Sequence, residues 1–529
     1  MNVPNALRFN HAFASLLAAT GLFAAQASTR AQSVQHLSVP QPGGMPGRPV
    51  VTGIQQTTNS VTVTWDGPSG YYQLFQAKGL KGVWQGVGPR TNLSRKASVP
   101  LTSTNTFFKV SGPSAEYAGA QVCIECHGPV HTNFQYTAHA QAFQVLQAAN
   151  QDRNSSCLAC HTLGYGLPTG FVSQTATPQL PGVQCENCHG AAGNHAANPD
   201  DITVRPRVEI AATLCGGCHT GSQSSTYKQW SSSLHAQVVE DLNPSSLTDS
   251  CGRCHSGSVR LSLLNHQALP SGDANVPIVC GTCHNPHQTN AVAPFQLRNP
   301  LASTNDYFIT TSAPFTNQYN PNINLCGQCH NHRGASWASS SRAPHHSPQY
   351  NMFLGTVGEL ASGPSTYQPG PHAMLLTNQC VECHMQDSAL PPDQYHPNLA
   401  SHTSTVDSHD RCLECHPNPS GIIGIARNAV TNEVNQINSL LNVWALTKAP
   451  LALQQKYGTR AWEYTNPGDL SPGGPGPDAT EQPQIPVNIQ KARFNLYLVV
   501  YDGSFGAHNP YAFTLLDTAL TWVQQELSQ

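Results

Sequence analysis

One five-residue pattern recurs nine times in this 529-residue chain and claims every cysteine in it. The copies read CIECH (123–127), CLACH (157–161), CENCH (185–189), CGGCH (215–219), CGRCH (251–255), CGTCH (280–284), CGQCH (326–330), CVECH (380–384) and CLECH (412–416). The eighteen cysteines are therefore Cys123, Cys126, Cys157, Cys160, Cys185, Cys188, Cys215, Cys218, Cys251, Cys254, Cys280, Cys283, Cys326, Cys329, Cys380, Cys383, Cys412 and Cys415. Disulfide frameworks do not require a histidine after each second cysteine. Zinc sites use C-x-x-C but complete it with a second pair or with spaced histidines. With histidine at 25 of 529 positions, chance would put one after a given pair about 5% of the time.

C-x-x-C-H is the attachment signature of haem c. Both thiols add to the vinyl groups of one porphyrin edge, and the adjoining histidine is carried beneath the ring as the proximal iron ligand. The proximal ligands are then His127, His161, His189, His219, His255, His284, His330, His384 and His416. Between Cys123 and His416 there is roughly one motif per 33 residues, too little chain to give each cofactor its own domain. The expectation is nine covalently attached haems that pack on one another and serve as the core. That fits a hydrophobic content of only 39% and an abundance of Gly and Pro.

A six-coordinate iron needs a second axial ligand, normally His or Met. Beyond the first fifty residues the methionines are Met352, Met374 and Met385, too few for nine irons. Setting aside the proximal nine, His11 and His36 leaves fourteen histidines. Bis-histidine ligation is expected, with low-potential electron transfer as its consequence. His139 and His235 share a frame in which an aromatic precedes an HA dipeptide (NFQYTAHA, YKQWSSSLHA). His195 follows CENCHGAAGNH, His287 lies in CGTCHNPH, and His346 sits in RAPHHSPQ. His372 precedes CVECH, His402 precedes CLECH, and His508 lies in GAHNPYAFTLL. These eight are the distal candidates. His131, His266, His332, His345, His396 and His409 rank below them.

YAGAQVCIECH…TAHA, CLACHTLGYGLPTGF and LPGVQCENCHGAAGNH together resemble the tetrahaem cytochrome family of nitrifying bacteria. That family belongs to a superfamily with pentahaem nitrite reductase and octahaem hydroxylamine dehydrogenase. RAPHHSPQYNMFLG, PHAMLLTNQCVECHM and DGSFGAHNPYAFTLL are similar to segments of its larger members. The resemblance covers roughly residues 117 to 525. It implies parallel and perpendicular haem pairs, and supports His139, His195, His346 and His508 as distal ligands. The C-x-x-C-K that marks the catalytic haem of the nitrite reductases is absent here, and no tyrosine matches the one linked to haem in hydroxylamine dehydrogenases. The resemblance thus favours electron transfer over reduction of nitrogen compounds.

The flanks divide the chain. Arg8, the apolar run AFASLLAATGLFAA and Ala25-Gln26-Ala27 read as a cleaved signal peptide over 1–27, with export to the periplasm or the cell exterior. A linker follows over 28–50. Alternation in VTVTW, YYQLFQ and FFKV predicts a small all-β sandwich of fibronectin-III or immunoglobulin type over 51–112. The fold expected for 113–420 is a multihaem cytochrome domain of mostly α and irregular loops. C-terminal helices over 421–529 pack on it. Val430, Val434, Ile437, Leu441 and Trp444 make one apolar stripe, and Leu516, Leu520, Val523 and Leu527 another. Net charge of −3 gives no basic field for nucleic acid, and no later segment is apolar enough to span a bilayer.

Three functions compete at this point. The first is an exported electron carrier with redox partner proteins. The second is an oxidoreductase acting on a small nitrogen or sulfur compound at one five-coordinate haem. The third is a self-associating cytochrome filament assembled through the β-module.

Overall fold

The computed structural model describes residues 49–529 except 58, 67–71, 79–82, 92–94, 101–105, 112–115, 207–209, 221–224, 238–248, 271–275, 289–293, 299–324, 366, 377–378 and 387–400. The expected signal peptide, almost all of the linker, His11, His36 and His396 lie outside the described residues.

Six strands open the described chain: β1 (Val50–Gln56), β2 (Ser60–Asp66), β3 (Tyr72–Ala77), β4 (Gln85–Thr91), β5 (Lys96–Pro100) and β6 (Phe107–Ser111). They form two antiparallel sheets, ordered β1-β2-β5 and β4-β3-β6. The period-two pattern of SVTVTWD turns Val61, Val63 and Trp65 inward. Tyr72 and Leu74 of the other sheet join them in one core.

The described residues from Ala120 to His416 form short helices and loops, with one two-stranded ladder of Glu359–Leu360 and Gly363–Pro364. Apolar cores are small here; the main one gathers Phe143, Leu146, Leu158, Leu163, Phe171 and Leu180. The large core lies beyond, where helices Pro419–Thr447, Val487–Asp502 and Tyr511–Ser528 pack together. Asn418 caps the first of these by accepting from Gly421 N, with Pro419 at the first turn. Val430, Ile437, Leu441 and Trp444 are its buried stripe. The middle helix is buried nearly all round, including Arg493 and Asn495. Among the described residues no helix is long and apolar enough to cross a membrane.

Glu433 of the long helix is hydrogen-bonded to Asp517 of the last one. Partial burial, then the Asp517 charge, push Glu433 from 4.5 up to about 7. The folded state therefore holds a proton that the unfolded chain releases in that window, so stability falls as pH rises from 4.5 towards 7. Glu433→Gln is expected to flatten this slope, measured as the thermal midpoint across the same pH range.

Candidate haem-binding site

The motif spacing becomes geometry through one helical turn. His219, His284, His330 and His416 each donate their backbone N–H to the carbonyl of the first cysteine of their motif, at 2.8–2.9 Å. Positions i, i+3 and i+4 then share a face, so two thiols and an imidazole point the same way. The turns need small residues where they are tightly packed. A Cβ at Gly327 would lie 2.6 Å from the Tyr350 ring.

Eight of the motifs, from Cys157 to His416, line one continuous cavity of about 3880 Å³. An ordinary ligand pocket holds roughly 300–1,000 Å³, so the space suits several large cofactors in contact. Thiols of different motifs lie side by side across it or near it: Cys123 with Cys185, Cys160 with Cys218, Cys215 with Cys280, Cys254 with Cys329, and Cys326 with Cys380. Cys188 neighbours Cys215 and Cys218, Cys283 neighbours Cys326, and Cys383 neighbours Cys412. Of the eighteen cysteines only Cys126 and Cys415, in the first and last motifs, are exposed.

Imidazoles face one another in the same space. Motif histidines stand opposite a second imidazole in seven pairs: His219 with His139 at 5.9 Å between ring centroids, and His189 with His287 at 5.9 Å. His330 meets His235 at 6.1 Å, His255 meets His345 at 5.9 Å and His284 meets His402 at 6.3 Å. His416 meets His372 at 6.0 Å and His384 meets His508 at 6.0 Å. His127 and His195 are electrostatic neighbours, and His195 Nδ1 is buried without a hydrogen bond. His161 meets no second imidazole at such spacing among the described residues; its Nδ1 sits 2.8 Å from Ala142 O.

His346 also lines the cavity, 6.2 Å from the His345 ring, but faces no motif histidine. Its ring lies 3.9 Å from that of Tyr501, with Asp469 3.9 Å away, while the adjacent His345 faces His255. His266 is exposed, His409 Nδ1 lies 3.1 Å from Ser420 Oγ, and His332 Nδ1 is buried without a partner. Sequence reasoning ranked His345 below His346; the dipeptide alone carries no signal that separates them.

Several of the facing rings are held by their far nitrogens, while His255 Nδ1 is buried without a hydrogen bond. Nδ1 of His284, His372 and His384 meets the carbonyls of Phe295 (2.8 Å), Ala507 (2.8 Å) and Ser404 (3.3 Å). Nδ1 of His235 and of His345 meets the hydroxyls of Ser404 (3.2 Å) and Ser347 (3.1 Å). This leaves Nε2 turned to the cavity, as outer hydrogen bonds do for metal-ligating histidines. Ser404 serves two rings from a left-handed backbone (φ 57). Its loop is pinned by Asp407, which accepts from Ser401, Thr403 and Thr405 hydroxyls at 2.6–2.9 Å. Burial pushes His139, His330 and His345 down to about 4. They stay neutral, with the lone pair a metal needs.

Further anchors join the motifs to one another. Buried Glu186, inside CENCH, accepts from the backbone N–H of Gly119 (2.8 Å) and Ala192 (2.7 Å), fastening the third motif to the approach to the first.

Paired thiols on helical turns, neutral imidazoles facing across a shared cavity and an interior poor in side chains fit covalently held haem, and in sequence the chain is similar to multihaem c-type cytochromes. Residues 122–190 match the family described as cytochrome c554 and c-prime. The chain is 26% identical over 163 residues to cytochrome c-554 of Nitrosomonas europaea, covering 24% of this chain and 69% of that one. It is 23% identical over 347 residues to the C-type polyheme cytochrome OmcB of Geobacter sulfurreducens. That match covers 59% of this chain but only 44% of OmcB. The solved structure of the outer cell wall cytochrome OcwA is similar with a TM-score of 0.48 and 17% identity, over 77% of this chain and 100% of that one.

Proposed function

We propose that the chain is an exported nonahaem cytochrome that passes electrons along a line of bis-His haems c. The observation that carries this reading is the set of seven opposed imidazole pairs. With metal–nitrogen bonds of ~2.0 Å, two imidazoles on opposite sides of one iron hold their centroids about 6 Å apart, the spacing found in all seven. His139, His287, His235, His345, His402, His372 and His508 are then the distal ligands of their partners, and His195 serves His127. Ligation by two histidines fills both axial positions and keeps the potential below that of a His/Met iron. The eight paired sites thus accept and release electrons and offer no open axial position to a substrate.

The thiol contacts supply an order. The first motif touches the third, the third neighbours the fourth, and the line continues through the sixth, seventh and eighth to the ninth. The second motif branches from the fourth, and the fifth from the seventh. Exposed Cys126 and Cys415 sit at the two ends of the line, which supports entry and exit there, to redox partner proteins on either side. Export rests on the N-terminal apolar run, and the β-module is read as a spacer or docking unit.

One observation favours a second reading. His161 has no facing imidazole among the described residues, so its iron would keep one position open to a small nitrogen or sulfur compound. Mass spectrometry and EPR of the purified protein separate these. Nine haems with at least eight low-spin irons support the electron line. Fewer than nine haems, or two or more high-spin irons, would sink it. Catalytic turnover of nitrite or hydroxylamine at the His161 iron would replace it with the enzyme reading.

A further inference from the structure

Asp502 ends the helix Val487–Asp502, and its side chain is only 2% exposed. The chain then turns through Gly503 (φ 67), Phe505 (φ 54) and Gly506 (φ 84), three left-handed residues in quick succession. That turn brings His508 back onto the helix end, where its Nδ1 donates to Asp502 Oδ1 at 2.7 Å. Ser504 Oγ donates to the other carboxylate oxygen and accepts from the His508 backbone N–H at 3.2 Å. Asn509 fixes the next residue by donating to Gln368 O at 2.7 Å and Phe353 O at 3.2 Å. His508 is thus held by a buried charge, whereas His235, His284, His345, His372 and His384 donate to neutral oxygens.

The difference has electrostatic weight. A buried anion is weakly screened, and a carboxylate that accepts the Nδ1 proton increases the basicity of the opposite nitrogen. Both effects favour ferric over ferrous iron at the centre that nitrogen ligates, because the ferric state carries the extra positive charge. We propose that Asp502 sets the redox potential at the Cys380/Cys383/His384 site through His508, making it a low-potential step between the seventh and ninth sites. The inference rests on the pairing of His384 with His508 proposed above. Reduction there takes one electron from a neighbouring site and needs no added proton, since the Nδ1 proton remains shared between His508 and Asp502. Asp502 is a positioning and tuning residue, and electrons moving towards the exposed ninth site cross this step uphill.

Spectroelectrochemical titration of the full, haem-loaded chain tests it. Asp502→Asn is expected to move one one-electron transition to higher potential and leave the others in place, with all low-spin signals retained. An unchanged titration beside an intact low-spin spectrum would overturn the proposal. Ser504→Ala is the second variant: it removes a donor that shares the carboxylate, so the same transition should move lower. Should Asp502→Asn fail to fold, Ser504→Ala decides alone, and no downward shift overturns the proposal. A wild-type spectrum with this iron high-spin would instead overturn the His384–His508 pairing.

Discussion

Cys326→Ser together with Cys329→Ser is expected to cost more than one haem and to break end-to-end electron transfer by orders of magnitude. The seventh motif is the junction of the line: Cys326 meets Cys380, Cys329 meets Cys254, and Cys283 lies beside Cys326. Removing its macrocycle opens a gap between the sixth and eighth sites and strands the fifth. Cavity-sized losses in a packed interior are costly because the surroundings collapse only in part, so neighbouring haems should be incompletely incorporated. Cys123→Ser with Cys126→Ser is the contrast. It removes a terminal site and should leave eight haems, nearly unchanged stability and loss of exchange at one end alone. Haem content by mass, and reduction by an immobilised donor, distinguish the two.

Arg493→Ala is expected to destabilise the C-terminal helices by several kcal/mol, since each buried acceptor left unpaired costs about 1–3 kcal/mol. The Arg493 guanidinium donates to Trp462 O and Glu463 O at 2.8 Å and to Gln482 Oε1 at 2.8 Å, and lies over the Tyr464 ring at 4.1 Å. Glu463 beside it is fully buried and keeps Tyr497 OH (2.7 Å) and Tyr464 N (3.1 Å) as donors. Truncating Arg493 also removes the nearby positive charge that offsets the cost of burying the Glu463 carboxyl, which burial pushes up. Adding Glu463→Gln should recover part of the loss, because the buried charge goes with it. Chemical denaturation of both variants gives the answer.

These two networks differ in how far a sequence betrays them. The nine motifs announce themselves by spacing, and the stripes at Val430–Trp444 and Leu516–Val523 follow the helical period because each helix keeps one wet face. The helix Val487–Asp502 has no such period. It is buried nearly all round, so VNIQKARFNLYLVVYD reads as neither amphipathic helix nor strand, and Arg493 at its centre looks like a surface residue. The facing imidazoles are a harder case. His287 is close in sequence to a motif but faces His189 of another, and RAPHHSPQ offers two adjacent rings of which tertiary packing turns one to His255 and the other to Tyr501. Such choices depend on contacts between residues far apart in the chain, which spacing does not encode.

The long-range pairing also bears on how the protein is made. Under the proposed pairing His255 waits for His345, His284 for His402, and His384 for His508, each supplied by chain that is synthesised later. A haem attached early would remain with an exposed axial face until its downstream histidine arrives. His508 thereby acts as a late seal: a chain cut short before it would keep every C-x-x-C-H motif yet, under the proposed pairing, leave the His384 iron open to oxygen.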